Sequence, residues 1–89
     1  MYINTDKMRR SLDELVIVMD SDSLDELQSL AAKQKAEEEA VKQGFQVGGF
    51  SRTPRCAAID ADTDDFVGPP KPNMQLAGFR GEYTFARKV

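Results

Sequence analysis

The stretch Leu15-Val-Ile-Val-Met19, continued by Asp20-Ser-Asp-Ser-Leu-Asp-Glu-Leu27 and closed by Gly44-Phe-Gln-Val47, decides how this chain is read. Val16, Ile17 and Val18 are β-branched, which restricts χ1 in a helix and suits a pleated surface. Both faces of the run are apolar, which predicts a strand at the centre of a sheet or covered on both sides. A helix through 5–19 is the competing assignment. An Asp/Ser cluster ends the run. Ser23 followed by Glu26 is a capping box, and Asp25 and Glu26 suit the positive end of a helix. Leu24, Leu27, Leu30 and Ala31 form an apolar stripe that Gln34 and Glu38 interrupt and Val41 resumes. The spacing therefore predicts one long helix from Ser23 to Gln43, packed in its first half and solvated over residues 33–40. Gly44 is placed as the left-handed residue past the helix end, with Phe45 folding back.

Outward from this strand–helix–strand pattern the chain changes character. Residues 1–14 read as an arm or a short edge strand, and 15–52 as the core. Residues 53–89 read as an extended segment with short strands or a hairpin. All four prolines and five of the six glycines lie beyond residue 47. Candidate short strands are 56–59, 74–79 and 82–87, and the last two can form a hairpin around Arg80-Gly81, although Arg-Gly is not a preferred turn pair. In the last, Tyr83 and Phe85 share one face and Thr84 and Ala86 the other. Residues 60–73 read as an exposed loop. The fold class expected is α+β: a strand–long helix–strand module on a small sheet, with an extended Pro/Gly-rich C-terminal segment.

Composition narrows the function. With 89 residues the chain is one domain at most, burying roughly 60–65% of its unfolded surface. One cysteine and no histidine leave neither an intramolecular disulfide nor a Cys/His zinc site as a staple. The net charge is −3, with ten acids against six bases in 1–49 and five against six in 50–89. No clustered basic stripe supports direct nucleic-acid binding. No apolar run approaches the ~20 residues of a membrane span. The first ten residues lack the apolar run of a signal peptide, so a cytoplasmic setting, or a virion, is expected.

Three patterns invite chemistry. Asp20-Ser-Asp22 at the end of an apolar strand resembles the first motif of haloacid-dehalogenase-type phosphatases. That resemblance implies a nucleophile, an acid/base and Mg²⁺ at these carboxylates. Ser23-Leu24 depart from the motif, and the chain is far shorter than that domain. Asp60, Asp62 and Asp64 have the first, third and fifth ligand spacing of a calcium loop, but Asp65 and Lys71 stand at the glycine and glutamate positions. A solvated acidic loop explains them better. Cys56 beside Arg55 lacks any histidine base and reads as a small hydrophobe. No catalytic activity and no cofactor are expected.

Binding remains. Phe50, Arg52, Arg55, Phe79, Arg80, Tyr83 and Phe85 are of the residue types enriched at protein interfaces, and they are the expected partner-binding residues. Ser23-Leu-Asp-Glu26, Gly44-Phe-Gln-Val47 and Arg52-Thr-Pro-Arg55-Cys56 together resemble the small phage-type inhibitors of host RNA polymerase. In that family strand-borne arginines contact the polymerase, which implies such a role for Arg52 and Arg55; the residues from Ala57 onward have no counterpart there. The expectation is a non-enzymatic interaction module, a small subunit or assembly component of a larger, viral-type complex, with protein partners or copies of itself. The alternative is a small acidic inhibitor of a host enzyme.

Overall fold

The computed structural model describes residues 1–45 and 50–86. Its centre is the expected apolar strand, extended to Glu14–Ser21 (β3). Leu15 to Met19 are all buried, whichever face they take. Before β3 the chain forms two short strands, Tyr2–Ile3 (β1) and Arg9–Arg10 (β2), both antiparallel to it. Ser11 turns the chain back, its amide donating to the Glu14 carbonyl at 2.8 Å. After β3 come two helices, Leu24–Leu27 (α1) and Leu30–Lys42 (α2), and then strands Arg55–Asp60 (β4) and Leu76–Ala86 (β5). The sheet runs in the order β1-β3-β5-β4, with β2 also on β3. Because β5 is antiparallel to both β3 and β4, the latter two run parallel on either side of it.

The helical region departs from expectation in three ways. It is not one helix: Ser29 is a second N-cap, its hydroxyl accepting from the Ala32 amide at 3.2 Å and donating to the Glu26 carbonyl at 2.6 Å. The buried stripe is Leu27 followed by Ala32, Ala36 and Ala40, one turn apart and fully enclosed, while Leu30 and Val41 are 70% and 61% exposed. Alanine's weak hydropathy hides this face in the sequence, yet its small side chain lets a helix lie close against a sheet. The half expected to be mostly solvated does keep Lys33, Gln34 and Glu38 exposed, but it also packs on the core through Ala36 and Ala40. Finally, Ser23 caps Glu26 as expected at 3.3 Å, but the Glu26 carboxylate bonds Ser21 and the Met1 ammonium, both at 2.9 Å, while Ser21 caps the Ser23 amide. The C-terminus follows the reading. Gly44 has φ +85°, its amide donates to Val41 and that of Phe45 to Ala40, and Phe45 is buried in the core. Gln46 and Val47, expected to open a strand there, lie outside the described residues.

The C-terminal part supplies sheet. The strand expected at 56–59 is β4, and residues 53–89, expected as an extended segment, provide two of the strands described. The hairpin expected around Arg80-Gly81 does not form: β5 runs straight through, pairing with β3 from Glu14–Ala86 to Ser21–Phe79. A bulge lies opposite Ala58–Asp60, where Gly78 has φ +121° and a Cβ would come within 3.1 Å of the Ser21 carbonyl. The core sits between the sheet and the helices. Leu15, Ile17, Met19, Tyr83 and Phe85 face Leu27, the alanine stripe and Phe45. Each large side chain so buried contributes roughly 1.5–3 kcal/mol.

Candidate functional site: an arginine-bearing sheet face

The strand alternation that sends Tyr83 and Phe85 into the core turns Glu82 and Thr84 to the face opposite the helices. Register then assembles that face. Glu82 stands beside Val18 of β3 and Arg55 of β4, and Arg9 of β2 beside Val16. Ser51 donates its amide to the Thr84 carbonyl at 2.9 Å, which brings Arg52 alongside. Arg9, Arg52, Thr53, Arg55, Glu82 and Thr84 together line a shallow cleft of about 230 Å³.

Each guanidinium is held differently. Arg9 donates to Glu82 at 2.7 Å and Arg52 to Glu14 at 3.1 Å, the two arginine side chains being more than 60% exposed. The Arg52–Glu14 pair is exposed on both sides and worth about 0–1 kcal/mol, so an incoming carboxylate can replace Glu14 at little cost, whereas Glu82 is only 17% exposed and is held beside Arg9. Arg55 lies over the Phe66 ring, 4.2 Å from its centroid, and forms no ion pair among the described residues. Stacking on the ring fixes the guanidinium plane.

Deeper on the same face is a buried polar cluster. Arg80, 4% exposed, donates to both Asp20 oxygens (2.7 and 3.2 Å), to the Asp64 carbonyl at 2.6 Å and to its carboxylate at 3.1 Å. Asn4 and Tyr2 also donate to Asp20, and Lys7 lies 3.6 Å from Asp64. Burial alone would raise the Asp20 carboxyl, but the bonds from Arg80 and Asn4 hold it below the usual aspartate range. The same bond to Asp20 pushes the Arg80 guanidinium up. On the core side, burial pushes up both the Tyr83 hydroxyl, which donates to the Leu27 carbonyl, and the half-buried Cys56 thiol.

Of the expected partner-binding residues, only Arg52 and Arg55 stand on this open surface. Phe50 is half-buried against the Tyr83 and Phe85 rings, 5.8 and 5.0 Å between centroids. Phe79 packs on the core, and Arg80, Tyr83 and Phe85 are interior. In the two aspartate patterns Asp20, Asp60 and Asp64 hold structural contacts. Asp20 serves Arg80 while Asp22 is exposed. Asp60 accepts the Asp62 amide at 2.9 Å, and Asp64 binds Arg80 and Lys7. No group of three or more Cys, Asp or Glu side chains among the described residues is placed to hold a metal ion. No helix among them is long and apolar enough to cross a membrane. Arg9, Glu82 and Thr84 were not foreseen. Their signal is the alternation of β5 and the pairing of β2 across β3, visible only once the register is known. No family model, curated protein or solved structure matches this chain.

Proposed function

We propose that this chain is a non-enzymatic protein-binding module, a small component of a larger complex, that docks its arginine-bearing sheet face on an acidic surface of a partner protein. The observation that carries this reading is the convergence of Arg9 with Arg52 and Arg55, from two distant stretches of the chain, onto one cleft, with Arg55 stacked on Phe66 and in no ion pair among the described residues. In an overall acidic chain, three exposed arginines at one place favour a partner of opposite local charge. The test is stoichiometric copurification from the native cell after cross-linking. Arg52→Ala and Arg55→Ala should each abolish it while leaving Tm unchanged, and retention of the partner by the double variant overturns the reading.

A second reading, an inhibitor docking on a host enzyme such as RNA polymerase, draws support from Arg52 and Arg55 sharing that cleft. It differs in outcome: the purified chain would bind one enzyme and reduce its activity, through the same two arginines.

A further inference from the structure

The outer edge of β4 is half covered by the chain itself. The Val67 amide donates to the Ala58 carbonyl at 3.0 Å and the Asp60 amide to the Asp65 carbonyl at 2.8 Å, flanking an antiparallel bridge between Ile59 and Phe66. Residues 65–67 are thus a short added strand. Continuing its register would set Cys56 opposite Pro69, which has no N–H to give, and residues 68–70 make no backbone hydrogen bond to β4. Along a strand the backbone groups of alternate residues point to the same side. Those of Ala58 and Asp60 point outward, so those of Cys56 do too, and no described residue pairs with them.

We propose that this open part of the β4 edge, Arg55–Ala57, accepts an extended acidic segment of the partner protein as an added strand. The proposal rests on the arginine-face reading and deepens it by naming the mode of docking. Arg55 flanks the open amide, its guanidinium held flat by Phe66, which itself belongs to the self-paired half of the edge. Every second side chain of an added strand falls on the same face as Arg55, beside the cleft shared with Arg52 and Arg9. A carboxylate there meets a guanidinium that forms no ion pair among the described residues; a lysine would be repelled. Charge also argues against a second copy as occupant: antiparallel β4–β4 pairing centred on Cys56 sets the two Arg55 side chains as diagonal neighbours on one face. Main-chain hydrogen bonds supply affinity in this mode, and alternate side chains supply choice.

The experiment titrates the isotope-labelled intact chain with synthetic peptides of equal length, one alternating glutamate with valine and one alternating glutamate with proline. Both carry the same charge, but when glutamate falls on the Arg55 face the second sets a proline, which has no N–H, opposite Cys56. The glutamate–valine peptide is expected to bind about tenfold more tightly. It should slow hydrogen exchange at the Cys56 amide and shift the Arg52 and Arg55 guanidinium resonances. Equal affinity for the two peptides with an unprotected Cys56 amide overturns strand addition and leaves arginine docking standing. Failure of both peptides to shift the arginines overturns the docking reading, and strand addition with it. A lysine–valine peptide that protects Cys56 equally well overturns the acidic specificity. Concentration-dependent self-association that protects Cys56 without any peptide makes a second copy the occupant instead.

Discussion

Gly81 shows how much one hydrogen in place of a methyl group decides here. It lies in the middle of β5, opposite Met19 on one side and Cys56 on the other. The Tyr83 ring folds back across it, and a Cβ at position 81 would stand 2.7 Å from the Tyr83 hydroxyl oxygen and 2.8 Å from the nearest ring carbon. Only a glycine lets that ring lie on the strand and deliver its hydroxyl to the Leu27 carbonyl at the end of α1. Gly81→Ala should therefore destabilise the chain by about 1–3 kcal/mol, as overpacking does, read as a lower urea midpoint. An unchanged midpoint would mean the ring does not rest there. In the sequence, Gly81 admits a hairpin even though Arg-Gly is a poor turn pair, because a glycine that admits a ring over a strand and a glycine that turns a chain are the same letter. Gly44, by contrast, was legible: it follows a helical pattern and precedes a phenylalanine, and the end of α2 takes the left-handed form those neighbours imply.

Among the elements, legibility followed local signals. β3 announces itself by three β-branched residues, and the helix start by Ser23. What was missed depended on distant partners or weak hydropathy. The run of β5 through Arg80-Gly81 is set by eight register pairs with β3, from Glu14–Ala86 to Ser21–Phe79, which no short window contains. The break between α1 and α2 is hidden in the sequence because Ser29 sits inside an apolar pattern that continues only if Leu30 is buried, and it is not. Ser29 nonetheless does a cap's work, satisfying the Ala32 amide. Ser29→Ala should cost about 1 kcal/mol, seen as a small drop in Tm and faster amide exchange at Ala32. Equal exchange in both proteins would show that the two helices behave as one.

For the whole molecule, the cluster around Arg80 ties together segments that share nothing in sequence: the N-terminal arm through Tyr2 and Asn4, β3 through Asp20, and the loop after β4 through Asp64. No described buried side-chain polar atom lacks a hydrogen bond, so the cluster is a satisfied one. Removing one member of such a pair leaves a buried charge exposed to loss, and Asp20→Asn should cost up to about 3–5 kcal/mol at neutral pH, with Asp64 retaining part of the Arg80 charge balance. The pH dependence has a definite sign. Asp20 titrates below its ordinary value in the folded chain. Its contribution is therefore complete above the unfolded aspartate pKa of about 4 and is lost as pH falls through the lower folded value. Urea midpoints of the unaltered chain and the Asp20→Asn variant should stay well separated from neutral pH down to about pH 4 and converge below it. Curves that remain parallel into acid would show that the Asp20 carboxylate is not what holds Arg80, and that the arm and the loop are fixed to the sheet by other contacts.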